Sequence, residues 1–179
     1  MSHNAEEYDA IAERLFAPIY PVIAAAVVER TGKRCGRMLD VGCGGGHLAL
    51  AVLREGAFDH VTLLDENADA LKMAEDRIRG ELTSENRTST MLSSCCSDIC
   101  AADLAERIGT TFDLIVSRGS MPFWDDQMAA FKTSMRCLLR AALPMWEAAW
   151  GLARCASRLP RRWPRFAGKT AAAARECST

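Results

Sequence analysis

Apolar and polar residues follow two different spacings along this chain. Between residues 5 and 30, apolar side chains recur at helical spacing, and Pro18 and Pro21 interrupt the pattern. This predicts two helices or one kinked helix. Further along, short apolar runs predict strands at 37–41, 60–64 and 112–117. Amphipathic segments between them predict helices at 47–55, 68–80 and 101–108. Alternating strands and helices predict an α/β fold with a parallel sheet.

Two parts of the chain carry a weak strand signal or none. The run 88–96 makes a poor strand, although it lies where a third strand is needed. From about residue 132 the composition changes: the last 48 residues contain no Val, Ile or Tyr, and Ala and Arg make up 19 of them. Strands favour β-branched and aromatic residues, so no strand is predicted after that point.

The length of 179 residues is enough for about one domain with a real hydrophobic core. We divide it into an N-terminal helical cap at 1–34, a core at 35–131 and a tail at 132–179. No apolar run reaches the roughly 18 residues of a membrane span. The first residues also lack the basic and apolar parts of a secretory signal. These observations predict a cytoplasmic protein without membrane contact.

The eight cysteines are scattered and show no paired C-x-x-C spacing. Cys95, Cys96 and Cys100 form the one cluster, and no histidine or second cysteine pair lies nearby in the sequence. We interpret them as free thiols of a reducing compartment rather than as zinc ligands, and no metal is expected.

A glycine-dense loop follows the first predicted strand. The strand ends at Asp40, and the loop Gly42-Cys43-Gly44-Gly45-Gly46 leads directly into the next predicted helix. Glycines allow the backbone to approach a ligand closely, and the amides that start the helix face the same point. The loop therefore predicts a site for a nucleotide-containing cofactor.

The spacing within the loop distinguishes between cofactors. A dinucleotide fingerprint, counted from Gly42, needs a small residue where His47 stands. We interpret His47 as a residue that caps or packs at the helix start. The acid-x-G-x-G-x-G spacing formed by Asp40 and the glycines instead resembles motif I of the class I methyltransferases, which use S-adenosylmethionine.

This resemblance, which covers about residues 35–131, implies roles for individual residues. In that family the loop backbone at 42–46 cradles the methionine part of the cofactor, and Asp40 supports its amino group. An acid that ends the second strand binds the ribose hydroxyls. The run Val61-Thr62-Leu63-Leu64-Asp65 resembles that strand, so Asp65, with Glu66 beside it, is the candidate.

Two later segments resemble further parts of the same site. After the third strand, Asp98 and Ile99 match the positions that meet the adenine. For Asp98, the role of an ordinary turn residue is an equal alternative. After the fourth strand, Ser117 and Arg118 match the positions near the transferable methyl group. Asp113, at the start of that strand, is more readily explained as a solvated strand-entry residue than as a catalytic group. The implied fold is a Rossmann-like, doubly wound sheet, of whose seven strands four are recognisable.

The function implied is transfer of a methyl group from S-adenosylmethionine to a small-molecule acceptor. No catalytic residue is assigned. The Asn/Asp-Pro-Pro-Tyr type of motif found in amino-methylating members is absent, because Ser117-Arg118-Gly119-Ser120 stands in its place. DNA adenine is therefore not the expected acceptor. The acceptor's identity, the activity of this chain and its oligomeric state stay open.

The tail differs sharply from the rest in charge. Residues 1–131 carry 12 basic and 21 acidic residues, whereas residues 132–179 carry 10 and 2. Read one base out of frame, 132–169 can encode a stretch with V-L-A-P-G-G-L-A-Y-V, which resembles the family's missing strand region. We therefore predict a shifted reading frame from about residue 132. A native basic tail would instead suit a non-catalytic nucleic-acid-binding module. An NAD-dependent oxidoreductase is the third interpretation.

Overall fold

The computed structural model describes residues 4–85 and 89–144. The predicted change of reading frame concerns the tail at 132–179. The residues of this tail from 145 onward lie outside the described part.

The described residues form one five-stranded sheet in which every pair of neighbouring strands is parallel. The strands are β1 Cys35–Val41, β2 Ala57–Asp65, β3 Met91–Cys96, β4 Phe112–Val116 and β5 Leu138–Pro144. Their order across the sheet is β3-β2-β1-β4-β5. The order reverses between β1 and β4, and in such sheets ligands bind at the carboxyl ends of the strands beside that point. The predicted α/β fold is confirmed.

Six α-helices accompany the strands in the described part of the chain. They are α1 Ala5–Ile11, α2 Ile19–Thr31, α3 His47–Glu55, α4 Ala68–Ser84, α5 Leu104–Ile108 and α6 Gln127–Cys137. The prediction for α3 is confirmed at both ends, α4 is four residues longer than expected, and α5 begins three residues later.

Buried side chains cover both faces of the sheet. On one face Met38 of β1 and Leu63 of β2 pack with α2, α3 and α4. On the other face Leu39 and Leu64 pack with α5 and α6. Neighbouring residues of one strand thus enter opposite cores, which explains why apolar residues follow one another directly in these strands, as in Met38-Leu39 and Leu63-Leu64.

The structure corrects one expectation about the sheet. No strand was predicted after residue 132, but β5 pairs with β4, with Leu138 opposite Phe112 and Pro144 opposite Ile115. Its sequence lacks β-branched residues, so its composition gives no strand signal. The neighbouring strand supplies the hydrogen-bonding partner that composition cannot indicate.

The predicted break near the start of the chain is confirmed. Helix α1 continues into a π-helical turn at Ala12–Phe16, and α2 follows Pro18. The two helical segments, Ala5–Phe16 and Ile19–Thr31, meet at 78°. Within the described residues, no single helix has the length and apolar character to cross a membrane, and this bent pair passes that test only when its two parts are taken together.

Candidate cofactor-binding site

The glycine loop turns the chain from the carboxyl end of β1 into α3. Gly42, Gly44 and Gly46 have φ values of 64°, 51° and 79°, in the left-handed region that glycine tolerates best. The amides of Gly42 and Cys43 donate to the Leu64 carbonyl at 2.8 and 3.0 Å, which ties the loop to the end of β2. A Cβ on Gly46 would lie 2.9 Å from the Cβ of Ala74, so the loop also packs tightly against α4.

Asp40 lies beneath this loop and is 1% exposed. Its Oδ2 accepts a hydrogen bond of 3.1 Å from the Ala49 amide in α3. Burial raises the pKa of Asp40 to about 7; the hydrogen bond from Ala49 opposes this rise, and the nearby Asp65 adds to it. The carboxyl group is therefore poised to change protonation near neutral pH, and a cation beside it would favour the charged form.

Asp65 ends β2 and holds the glycine loop by its side chain. Its Oδ2 accepts from the Gly44 amide at 2.8 Å, and its Oδ1 accepts from the Asn67 amide at 3.0 Å. The structure therefore brings Asp40, the loop and Asp65 together at one edge of the sheet, as expected from their order in the sequence. Glu66 is exposed beside them.

The other candidate residues differ in exposure. Asp98 is exposed and accepts from the Cys100 amide at 2.8 Å, while the adjoining Ser97 amide donates to the Asp65 carbonyl at 3.0 Å. Ile99 is 4% exposed and packs in the core with α5 and α6. Cys43 is 8% exposed, and burial raises the pKa of its thiol. Roles toward the cofactor stay predictions for all three.

Ser117 is linked to the glycine loop through a residue that the sequence did not single out. Its Oγ lies 2.6 Å from the Oγ of Ser120, which also donates to the Val41 carbonyl at 3.1 Å. A Cβ added to Gly42 would overlap the Ser120 side chain. Ser120 thus explains why this position of the loop needs glycine, a reason visible only from the folded chain.

The N-terminal helices reach the same edge of the sheet. The ring of His47 stacks on Tyr20 with centroids 5.2 Å apart, and its Nε2 lies 2.8 Å from Oδ1 of Asp9. The packing role predicted for His47 is confirmed. Burial lowers the pKa of His47, Arg77 lowers it further, and Asp9 opposes both. Asp9 is a site neighbour that no sequence motif indicated.

Arg118 joins the cap to the end of β4. Its Nη1 donates to the Tyr20 hydroxyl at 3.3 Å, and its guanidinium carbon lies 4.5 Å from the centre of the Phe16 ring. Asp113 lies at the opposite end of β4, where it accepts from the Arg37 amide at 3.0 Å. Its position agrees with a strand-entry role.

The cysteines in the described part of the chain, at positions 35, 43, 95, 96, 100 and 137, are free thiols. Across residues 4–85 and 89–144, no group of three or more His, Cys, Asp or Glu side chains is arranged to hold a metal ion.

Comparisons with known proteins bear on this arrangement. A family model for a methyltransferase domain matches residues 39–142. A structure from Methanococcus maripaludis, described as an S-adenosyl-L-methionine-dependent methyltransferase, is 30% identical with a TM-score of 0.65, over 80% of this chain and 65% of that one. Another S-adenosylmethionine-dependent methyltransferase, from Clostridium acetobutylicum, is 20% identical with a TM-score of 0.62, over 78% and 55%. No curated protein matches.

A cofactor-bound structure shares the fold as well. CalS10, an amino pentose methyltransferase from Micromonospora echinaspora solved with S-adenosylmethionine bound, is 21% identical with a TM-score of 0.54, over 78% of this chain and 53% of that one. This chain therefore spans between about half and two-thirds of the length of these solved structures.

The fold is that of a Rossmann-like domain, with the glycine loop at the carboxyl ends of its central strands. Because the family model covers more than half of the sequence, the chain belongs to the methyltransferase domain family. The fold expectation stated from the sequence is confirmed.

Proposed function

We propose that this chain binds S-adenosylmethionine at the glycine loop and transfers its methyl group to a small-molecule acceptor. The observation that carries this proposal is a glycine loop with two carboxyl groups at its ends: Asp65 accepts from the Gly44 amide of the loop, and Asp40, which ends β1, accepts from the Ala49 amide of the helix that follows the loop. The glycines let a ligand approach the backbone of the loop closely, and the carboxylates supply acceptors for an amine and for hydroxyl groups.

The residues present fit this cofactor. A Cβ added to Gly44 would meet nothing within 4 Å, so the loop faces open space at that point. Asp65 uses one lone pair of each oxygen for the amides of Gly44 and Asn67. A carboxylate has about four acceptor positions, so two are available to ribose hydroxyls.

The protein contributes to the reaction chiefly by binding the cofactor and the acceptor and by orienting them. When bound, S-adenosylmethionine supplies a cationic sulfonium whose methyl group is already activated toward nucleophiles. A loop with fixed amides and a carboxylate held by two hydrogen bonds reduces the motion of what they bind, which lowers the entropic part of the barrier. Ser117 and Arg118 lie at the end of β4, where they contribute to the acceptor side of the site.

A small acceptor suits the charge of the domain better than a nucleic acid does. Residues 1–131 carry a net charge of −9, from 12 basic and 21 acidic residues. An acidic surface repels the phosphate backbone that dominates nucleic-acid affinity. The sequence at 117–120 also lacks the motif associated with methylation of DNA adenine.

The test is calorimetric titration of this chain with S-adenosylmethionine, comparing Asp65→Ala with Asp69→Ala. Asp65 holds Gly44 at 2.8 Å, whereas Asp69 is an exposed residue in the first turn of α4. Loss of a charged hydrogen-bonding partner should weaken binding at least about tenfold in Asp65→Ala, with no change in Asp69→Ala. Equal affinity of Asp65→Ala and the unchanged protein would refute the ribose assignment.

The acceptor class is tested separately, with methyl-labelled S-adenosylmethionine and a cell extract divided by size. Label is expected in a new small-molecule compound that separates from S-adenosylmethionine on chromatography. Label found only in nucleic acid or protein would contradict the proposed acceptor while leaving the cofactor assignment intact.

A further inference from the structure

Two charged residues outside every cofactor motif meet directly over the glycine loop. Arg77 of α4 donates from Nη2 to Oδ2 of Asp9 at 2.7 Å and from Nη1 to Oδ1 at 3.1 Å. The same Nη1 donates to the Gly45 carbonyl. One guanidinium group therefore joins α1, α4 and the loop.

This three-way contact is largely removed from solvent. The Asp9 side chain is 9% exposed and the Arg77 side chain 23% exposed. Burial alone would raise the pKa of Asp9, but Arg77 and His47 together lower it. A paired, bidentate contact of this kind constrains geometry more than an exposed ion pair does.

The contact also accounts for a glycine that the family spacing does not require. Asp40, Gly42, Gly44 and Gly46 complete the acid-x-G-x-G-x-G pattern, and Gly45 occupies one of its variable positions. A Cβ on Gly45 would overlap the Asp9 carboxylate and lie 2.6 Å from Nη1 of Arg77. The loop backbone and the ion pair are thus packed without room for a side chain.

We infer that Arg77 and Asp9 are positioning residues that clamp the glycine loop in the conformation that binds the cofactor. This inference rests on the proposed function, because it concerns the same loop. Neither side chain is assigned a cofactor contact; Arg77 fixes the Gly45 carbonyl, and Asp9 fixes Arg77.

The physical reason lies in the freedom of a glycine-rich backbone. Glycine loses more conformational entropy on ordering than any other residue. In this loop the Gly44 amide is held by Asp65 and the Gly45 carbonyl by Arg77, so consecutive residues are restrained from two sides. Releasing one restraint requires the cofactor to order the loop on binding, and its affinity falls accordingly.

The experiment measures the dissociation constants of S-adenosylmethionine and S-adenosylhomocysteine by calorimetry, well below the melting temperature of every variant. The variants are Arg77→Gln, Arg77→Lys, Asp9→Asn and the double change of Arg77→Gln with Asp9→Asn. Arg79→Gln is the matched control, because Arg79 lies on the same helix, is exposed and pairs with Glu75 at 3.4 Å.

We expect Arg77→Gln to weaken binding of both ligands about tenfold. The double variant should be no weaker than Arg77→Gln, because the two residues act as one unit. Arg77→Lys keeps the charge but loses the bidentate geometry, so it should recover only part of the affinity. Arg79→Gln should bind like the unchanged protein. Hydrogen exchange at the loop amides should rise in Arg77→Gln and not in Arg79→Gln.

A lower melting temperature with unchanged dissociation constants would mean that the pair only stabilises the fold, and it would overturn the inference. If the unchanged protein does not bind S-adenosylmethionine, the proposed function fails and the clamp has no cofactor to serve. If the unchanged protein binds and Arg77→Gln binds equally well, the clamp alone is wrong. Should Arg77→Gln not fold, Asp9→Asn provides the same comparison, because it removes the carboxylate charge and keeps the side chain's size.

Discussion

Gly44 and Gly32 have similar left-handed backbones, with φ values of 51° and 67°, and a Cβ added to either would meet nothing within 4 Å. An alanine at either position carries a comparable backbone strain of about 1 kcal/mol. The two positions differ in their surroundings, because Gly44 lies in the glycine loop and Gly32 ends α2. Comparing Gly44→Ala with Gly32→Ala therefore distinguishes the effect of backbone strain from the effect of contact with a ligand.

We expect Gly44→Ala to weaken S-adenosylmethionine binding at least about tenfold, because its methyl group enters the open space that faces the loop. Gly32→Ala should lower the melting temperature by about as much as Gly44→Ala does, but it should leave the dissociation constant of S-adenosylmethionine unchanged. Calorimetric titration and thermal melting of both variants check this. Equal affinities for the two variants would contradict the placement of the cofactor against Gly44.

Asp40 gives the stability of the fold a dependence on pH. Its pKa rises from 3.8 to about 7 on folding, mainly because of burial, so the folded protein holds a proton there that the unfolded chain has released. The free energy of unfolding therefore falls progressively as the pH rises from about 4 to about 7, and Asp40 lowers it no further at higher pH.

We expect Asp40→Asn to remove this pH dependence, because an amide stays neutral and its oxygen can still accept from Ala49. Without cofactor, the melting temperature of Asp40→Asn should exceed that of the unchanged protein by at least about 3 °C at pH 8, and the difference should shrink at pH 4. Asp69→Asn serves as the exposed control. A difference that is the same at both pH values would show that Asp40 does not titrate in this range.

At the scale of elements, periodicity predicted a helix or strand best where neighbouring residues also marked its ends. Helix α3 begins and ends where its amphipathic spacing predicted, and Gly46 and Gly56 flank it in the structure. Strand β3 gave a weak signal because it carries serines where apolar residues are usual. In the fold these serines have polar partners: the Oγ of Ser93 lies 2.9 Å from Oγ1 of Thr62 on β2.

Strand β5 shows the limit of local patterns more clearly. Its residues lack β-branching, and the prediction of no strand after residue 132 was wrong. Its register is defined by β4, beginning with Leu138 opposite Phe112. A backbone ladder needs only a neighbour with available amides and carbonyls, and the identity of that neighbour is a property of the topology.

For the whole molecule, the separation of charge is one sign of a changed reading frame. Residues 132–179 carry 10 basic and 2 acidic residues, opposite in sign to the rest of the chain. The frame change stays a prediction. We now expect it later than residue 132, because α6 continues to Cys137 and the family model matches through residue 142.

Reading the coding DNA from about codon 125 to beyond the stop tests this prediction. We expect the alternative frame to stay open and, after the point of change, to encode a strand followed by a glycine turn. The protein with the frame restored should melt at a higher temperature and aggregate less, because further strands would cover the edge of the sheet. A closed alternative frame would make the basic tail native, and salt-dependent nucleic-acid binding would then be the next measurement.

The sequence by itself determined the order of strands and helices from β1 to β4 and the glycine loop with Asp40 and Asp65 on either side. Each of these depends on periodicity or on residues close together in the chain, so a local pattern records it. Only the tertiary structure decided the contact of Arg77 with Asp9, 68 residues apart, and that of Arg118 with Tyr20, 98 residues apart. Such pairs form because topology brings distant elements to one edge of the sheet, and this process leaves no local pattern in the residues it joins.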